Sequence, residues 1–240
     1  MESRELKTSL KQRIIIIMIA VIMLGSILAS YALIIMNGGG AGSSSNQPGA
    51  ITEEQLRVYE EEYAARQAEF ATMTKGDFDK FIQYKSNVKA FNETAANDNG
   101  LQVQDLVVGD GRKIEDGDQD YVAYYIGWCA DGSVFDASLD DFEHPTGFSG
   151  YFDVSLGAIE GWGQGMVGAR LGGVREMTIP GKLAYGDSME ICGGYNKPLK
   201  FMVMPITADE QLKKAFDALT LAGMKLQYAE YGIDYGSVGQ

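Results

Sequence analysis

The glycines of the segment GWGQGMVG, residues 161–168, have a spacing that could bind a dinucleotide. Gly163, Gly165 and Gly168 form G-x-G-x-x-G, which cradles a pyrophosphate where it joins a strand to a helix. The motif is weakly specific here, because 30 of the 240 residues are glycine. Trp162 opposes it, since a bulky indole stands where the backbone must approach phosphate. The next segment, PGKLAYG, is typical of a turn and not of a second βα unit, so we predict no nucleotide cofactor.

The single histidine, His144, and the two cysteines, Cys129 and Cys192, are the next candidates for chemistry. They lack C-x-x-C spacing, and three such ligands do not complete a tetrahedral zinc site without a carboxylate. A cysteine activated by His144 remains an alternative, although no local feature marks either thiol as reactive. We therefore predict no metal site.

The charge of the chain excludes one class of partner. The 240 residues include 20 basic and 33 acidic side chains, which give a formal net charge of −13. Binding to nucleic-acid phosphates requires clustered Lys and Arg. We therefore predict no nucleic-acid partner.

An apolar run near the N-terminus predicts a membrane anchor. Residues 14–36 contain no charged side chain, and as a helix they would span about 35 Å, against about 30 Å of hydrocarbon. A basic tail, residues 1–13, precedes the run, so the positive-inside rule places the N-terminus in the cytoplasm and the rest outside. A cleaved signal peptide is the alternative, but its apolar core would be shorter. Residues 37–51 have the composition of a flexible linker.

Two segments have helical periodicity. Residues 52–99 open with a capping box at Thr52 and Gln55, and Asp77 after Gly76 predicts the start of a second helix. We expect this helical hairpin to pack on the next domain. A dimerisation or client-binding arm is the alternative.

The C-terminal segment, residues 208–240, is predicted to form a helix and a tail. Thr207 and Glu210 form a second capping box, and the apolar residues that follow recur at helical spacing. We expect this helix to pack against the domain or against the N-terminal helices.

Residues 100–207 have the pattern of short strands. The runs LQVQDLVV and QDYVAYYIGW are rich in β-branched and aromatic residues and are bounded by Gly and Asp. Asp131 and Gly132 lie between two extended runs and predict a type I′ hairpin turn. Further strands are predicted over residues 151–156, 174–179 and 199–206, with one short helix over 162–171. Because helices do not alternate with the strands, we predict an α+β fold in which one helix crosses an antiparallel sheet.

Several blocks of this region resemble the FKBP-type peptidyl-prolyl cis–trans isomerases. They occur in the family's order as VVGDGRKI, YYIGWCADGSVFDAS, FDVSLGAIEGWGQGMVGARLGG, REMTIPGKLAYG and LKFMV. The resemblance implies a half-barrel of antiparallel strands wrapped on a short central helix, with an apolar pocket between helix and sheet. It also implies a bacterial, membrane-anchored member with flanking helices.

The resemblance implies a set of site residues. The family's catalytic positions fall on Tyr125, Asp136, Ile159, Trp162 and Tyr185, and its substrate-binding positions on Phe135, Phe152, Ala158 and Phe201. Trp162 would form the pocket floor. The Ile159 N–H and the Tyr185 hydroxyl would donate hydrogen bonds to carbonyls of a bound peptide. Tyr125 and Asp136 would form a polar pair at the edge, without the family's basic partner, because residues 137–151 contain no Lys or Arg.

The two cysteines are expected to form a disulfide. The resemblance places Cys129 just before the hairpin turn and Cys192 in the loop after Tyr185, and cysteines outside the cytoplasm commonly pair. Two independent buried thiols are the alternative.

The implied activity is isomerisation of X-Pro bonds in unfolded or nascent exported proteins, without a cofactor. An apolar pocket favours the twisted imide, which is less polar than the planar one. One alternative is an extracytoplasmic chaperone or peptide-binding module with weak or no isomerase activity, and another is a structural membrane-tethered adaptor. The flanking helices are a candidate homodimer surface.

Overall fold

One antiparallel sheet organises the described part of the chain. The computed structural model describes residues 51–139 and 147–235. The strands are β1 (Gln102–Val107), β2 (Val122–Trp128), β3 (Val134–Ala137), β4 (Phe152–Asp153), β5 (Val174–Ile179) and β6 (Leu199–Ile206). Their order is β1-β5-β6-β2-β3, and β4 pairs with β2 on the edge that β3 also occupies. The predicted antiparallel α+β fold is confirmed, with β5 and β6 at the predicted residues.

Several predictions fall on residues that the structure does not describe. The basic tail, the apolar run, the linker up to residue 50, His144 and the last five residues lie outside the described ranges. Within those ranges, none of the helices combines the length and the apolar composition that a membrane span requires.

Four α-helices accompany the sheet within the described ranges. They are α1 (Glu53–Ile82), α2 (Glu93–Asp98), α3 (Glu160–Met166) and α4 (Glu210–Glu230). The capping box that opens α1 is confirmed: the Gln55 N–H donates to Thr52 Oγ1 over 3.2 Å, and the Thr52 N–H donates to Gln55 Oε1 over 2.9 Å.

The helix break predicted at Gly76 and Asp77 is wrong. The helix α1 continues through both residues for 30 residues in all. A glycine within a helix costs about 1 kcal/mol, which is less than the stabilisation gained by burying the neighbouring Phe78 and Phe81 in the core. Tertiary packing therefore overrides the local preference for a break.

The predicted bounds of the other two helices also differ from the structure. The helix α4 is capped by Asp209, whose carboxylate accepts the Leu212 N–H over 2.7 Å, and not by the predicted Thr207 and Glu210 pair. A carboxylate suits this position because the helix N-terminus carries partial positive charge. The helix α3 begins earlier than predicted and ends at Met166, where Gly168 turns the chain with φ +84°.

Both faces of the sheet are buried. Along β2 the side chains alternate: Tyr124 and Trp128 lie on one face, which we call the helical face, and Ala123 and Tyr125 lie on the other, which we call the pocket face. The helical face packs against α1 and α4, and the pocket face packs against α3. Burial on both sides explains why β2 and β6 are almost continuously apolar in sequence.

The helices α1 and α4 form an antiparallel pair over the helical face. The rings of Phe70 and Phe216 lie 5.8 Å apart, and Lys225 Nζ donates to Glu62 Oε1 over 2.9 Å. Phe70, Phe78 and Phe81 of α1 share one core with β2 and β6. The apolar residues of the helical segments thus pack on the sheet, as expected for packing on the domain and not for a free arm.

This packing predicts that α1 unfolds together with the sheet. Phe81 is fully buried, and its ring lies 5.4 Å from that of Phe148. We expect Phe81→Ala to lower the free energy of unfolding of the full chain by about 3–5 kcal/mol. Denaturant titration followed by the fluorescence of Trp128 and Trp162, one in each core, measures the loss.

Met73→Ala, at a 43% exposed position of the same helix, is the control and should change the free energy of unfolding by less than about 0.5 kcal/mol. An unfolding transition at Trp162 that Phe81→Ala leaves unmoved would show that α1 is not part of the same cooperative unit.

Candidate functional site

The short helix α3 lies in direct contact with β5 because of two glycines. A Cβ on Gly161 would stand 2.3 Å from Ile179 Cγ2, and one on Gly165 would stand 2.6 Å from Met177 Sδ. Neither position has room for a Cβ unless the side chain of Ile179 or of Met177 shifts. A Cβ on Gly163 would meet nothing within 4 Å, so it faces away from the sheet. Of the three glycines that resembled a dinucleotide motif, Gly165 therefore serves helix–sheet packing and Gly168 serves the turn after the helix, with φ +84°.

A buried arginine fixes the C-terminal end of α3. Arg175 is 5% exposed, and its Nη1 donates to the carbonyls of Gly165 and Val167 over 2.7 and 2.9 Å. Its Nε and Nη2 donate to the two carboxylate oxygens of Asp105 over 2.6 and 3.0 Å. The sequence analysis missed this residue. Its partner Asp105 lies directly opposite on β1 but 70 positions away in the chain, so no local spacing in the sequence reports the pair.

Trp162 and four other aromatic side chains form one cluster. Its ring centroid lies 5.8 Å from Tyr125, 5.4 Å from Phe152 and 5.3 Å from Phe201, and Phe135 lies 5.6 Å from Phe201. Trp162 and Phe201 are almost fully buried, whereas Tyr125, Phe135 and Phe152 are partly exposed. The buried pair forms a floor and the others form walls, so the predicted aromatic residues do come together on the pocket face.

The indole N–H of Trp162 points away from this surface. Its Nε1 donates to the Tyr121 hydroxyl over 3.3 Å, and burial raises the pKa of Tyr121 to about 12. Tyr121 therefore stays neutral, and its hydroxyl fixes the orientation of the Trp162 indole. Sequence analysis did not identify this partner, which lies 41 positions earlier in the chain.

Tyr125 and Asp136 form the predicted polar pair. The Tyr125 hydroxyl donates to Asp136 Oδ2 over 2.5 Å, and no Lys or Arg of the described ranges forms an ion pair with that carboxylate. Burial raises the pKa of Asp136, and the bond from Tyr125 opposes this rise. Burial, followed by the proximity of Asp136, raises the pKa of Tyr125 well above its usual value, so the proton stays on the phenol.

Two hydrogen-bond donors at this site are unused. Ile159 is the N-cap of α3; its carbonyl accepts the Trp162 N–H over 3.0 Å, while its own N–H has no acceptor among the described residues. The Tyr185 hydroxyl likewise has none there, and burial together with Asp136 raises its pKa. Both side chains pack against the aromatic cluster. Ala158 is solvent exposed and packs with neither core cluster.

The predicted disulfide is confirmed. Cys129 and Cys192 are bonded, with their Cα atoms 5.6 Å apart, so neither is an activated nucleophile in this structure. The predicted type I′ turn beside it is wrong. The Gly132 N–H donates to the Cys129 carbonyl over 2.9 Å, and of the residues Cys129–Gly132 only Gly132 has positive φ. A type I′ turn needs positive φ at two central residues, so the hairpin closes through a longer loop that ends at a glycine.

Comparison with known proteins finds one family. Residues 110–204 match the sequence model of a family described as FKBP-type peptidyl-prolyl cis-trans isomerase. An FK506-binding protein of Neisseria meningitidis serogroup B is 37% identical over 90 residues, which cover 36% of this chain and 75% of that protein. The chloroplastic peptidyl-prolyl cis-trans isomerase FKBP13 of Arabidopsis thaliana is 36% identical over 120 residues, which cover 45% of this chain and 55% of that protein. The crystal structure of AtFKBP13 aligns with 46% of this chain and 94% of that one at 30% identity, with a TM-score of 0.36.

The raised pKa of Asp136 predicts a pH-dependent effect of Asp136→Asn. Because the folded pKa lies above the unfolded one, the ionised carboxylate destabilises the fold at neutral pH, and this cost disappears as the pH falls below about 4. An amide keeps an acceptor for Tyr125 without the charge. We expect the variant to unfold at higher denaturant concentration than the wild type at pH 8, with the difference shrinking as the pH falls to 4.

Asp131→Asn is a control of opposite sign. Hydrogen bonds from Ser133 lower the pKa of Asp131, so its contribution to stability is present at neutral pH and is lost in acid. Unfolding midpoints across the pH range compare the two variants. A destabilising effect of Asp136→Asn at pH 8 that fades in acid, as in the control, would contradict the assignment.

Proposed function

The chain belongs to the FKBP family of peptidyl-prolyl cis–trans isomerases, and we propose that its pocket face isomerises X-Pro bonds of exported proteins. The observation that carries this proposal is the ring cluster centred on Trp162, with the unused Ile159 N–H and Tyr185 hydroxyl beside it. Such a surface offers apolar contacts to a proline ring and hydrogen-bond donors to the adjacent carbonyls. It supplies no nucleophile, and X-Pro isomerisation requires none.

The proposed mechanism uses the difference in polarity between the planar and the twisted imide. Rotation about the bond breaks amide resonance, at a barrier of about 18–20 kcal/mol. The planar form carries separated charge on O and N, which water stabilises. Transfer onto Trp162 and Phe201, both almost free of solvent, removes that stabilisation and favours the twisted state. Each 1.4 kcal/mol of such preference accelerates the reaction about tenfold.

The polar groups at the pocket edge hold the substrate. The Ile159 N–H is fixed by the first turn of α3. We propose that it donates a hydrogen bond to one peptide carbonyl while the Tyr185 hydroxyl donates to another. Asp136 and Tyr125 fix each other by their mutual hydrogen bond. Held at both sides of the proline, the peptide can rotate only about the imide bond, which lowers the entropic cost of the transition state.

We propose that the enzyme is anchored by residues 14–36 with its catalytic domain outside the cytoplasm. The apolar run and the basic residues before it support this orientation. The disulfide between Cys129 and Cys192 supports it as well, because such bonds persist in oxidising compartments. Its proposed substrates are unfolded or nascent exported proteins that contain proline.

The proposed activity predicts a specific loss in Tyr185→Phe. Removing the hydroxyl and keeping the ring should lower kcat/KM for X-Pro peptides about 3- to 10-fold, the equivalent of one hydrogen bond, with an unchanged unfolding midpoint. A protease-coupled isomerisation assay on the purified full chain, with the residue before proline varied, measures the rate. Tyr195→Phe is the matched control, because Tyr195 lies in the same loop and is 57% exposed.

If the full chain does not accelerate the isomerisation of any of these peptides over the spontaneous rate, the enzymatic proposal is overturned. Equal rates for Tyr185→Phe and Tyr195→Phe would remove only the role of the Tyr185 hydroxyl.

The proposed topology predicts that the folded domain is accessible from outside the cell. Protease added to spheroplasts expressing the full chain should digest the region after residue 50, while a cytoplasmic marker protein survives. An antibody to the C-terminal segment follows the digestion on a gel. Protection of the whole chain until detergent is added would contradict the proposed orientation.

A further inference from the structure

The loop that joins β5 to β6, residues 180–198, carries Tyr185 and is built around one residue, Gly181. The carbonyl of Gly181 accepts the N–H groups of Ala184 and Gly186 over 3.0 and 2.9 Å. The Gly186 carbonyl in turn accepts the Asn196 N–H over 2.7 Å. Gly181 is therefore the point from which the turn containing Tyr185 is held.

The N–H of Gly181 is held by α2. The Gly181 N–H donates to Asn97 Oδ1 over 2.8 Å. Gly181 is buried, and a Cβ there would stand 2.0 Å from the Asn196 carbonyl oxygen, so the two ends of the loop meet at this residue. A buried N–H that loses its acceptor costs about 1–3 kcal/mol unless the chain moves to reach water. By accepting the Gly181 N–H, the Asn97 side chain avoids this cost and stabilises the observed position of the loop.

Two further ties hold the same loop. Lys197 Nζ donates to Glu93 Oε1 of α2 over 2.8 Å, and Cys192 is bonded to Cys129. The segment before α2 is itself fixed to the sheet. The Phe91 N–H donates to the Ala130 carbonyl over 2.9 Å, and Trp128 Nε1 donates to the Lys89 carbonyl over 3.1 Å. The loop is therefore tied to a rigid support that precedes the family-matching region, residues 110–204.

We propose that Asn97 is a positioning residue for catalysis: through Gly181 it holds the Tyr185 turn in the geometry that binds the peptide. The proposal rests on the proposed isomerase function. Without the tie, the loop occupies the binding geometry for only a fraction of the time, and the apparent affinity for the peptide falls by that fraction. Once the peptide is bound the loop is ordered, so the rate of the bound complex is little affected.

Asn97→Ala tests this in the full chain. We expect KM for an X-Pro peptide to rise about 3- to 10-fold, with kcat within about twofold of the wild type. Hydrogen exchange of the Gly186 and Asn196 amides should accelerate. Asn97→Asp keeps an acceptor oxygen for the Gly181 N–H and should restore KM. Lys197→Met, which breaks a different tie of the same loop, should raise KM in the same way.

Asn87→Ala is the matched control. Asn87 precedes β1 as Asn97 does, and its Nδ2 donates to Glu176 Oε2 over 3.2 Å, so the variant loses an asparagine hydrogen bond to β5 without releasing the loop. It should leave KM and the exchange of the loop amides unchanged.

The outcomes separate the two proposals. A wild-type chain without isomerase activity overturns the proposed function and this inference together. An active wild type in which Asn97→Ala leaves KM unchanged, or raises KM no more than Asn87→Ala does, overturns the inference alone. A KM that rises in Asn97→Ala and is not restored in Asn97→Asp overturns it as well.

Discussion

The contact between α3 and β5 is the constraint on which the site depends. Two glycines on one face of a seven-residue helix let the helix backbone approach Ile179 and Met177 directly. Arg175 then fixes the end of the helix through its carbonyls and is itself held by Asp105. This close approach brings Trp162 into ring contact with the sheet, and it leaves the N-cap amide of α3 at the edge of the aromatic surface. A larger residue at Gly161 would press on Ile179 and on the Leu183 carbonyl, and would displace the floor of the pocket from its walls.

The two faces of the sheet have different roles. The pocket face keeps partly exposed rings and unused donors, which lowers its contribution to stability. The helical face is covered by α1 and α4, and its core contains Tyr124 and Trp128 with no exposed surface. The helical segments thus stabilise a sheet whose other face carries the proposed substrate pocket. The N-terminal region also supports the pocket in a second way. Its helix α1 packs on the helical face, and its helix α2 holds the loop that carries Tyr185.

The sequence predicted most reliably what local pattern and composition determine. The strands β5 and β6 were located to the residue, because each is a short run with strand-forming side chains between turn-forming residues. The break in α1 was predicted wrongly, since the local preferences of Gly76 and Asp77 are outweighed by burial of Phe78 and Phe81. The aromatic set came from resemblance to a family, and the structure brings these rings together. Asn97 was missed, because its partner Gly181 lies 84 positions away and no local spacing reports such a contact.

The central proposal is that the X-Pro bond of a peptide is isomerised while its proline ring lies against Trp162 and one of its carbonyls accepts the Ile159 N–H. Exchange NMR spectroscopy of an X-Pro peptide mixed with the isotopically labelled full chain tests both parts in one sample. The account predicts exchange peaks between the cis and trans forms of the peptide, upfield shifts of the proline protons from the indole ring, and movement of the Ile159 amide resonance. Absence of exchange peaks, or catalysis with unshifted proline protons and an unmoved Ile159 amide, would contradict it.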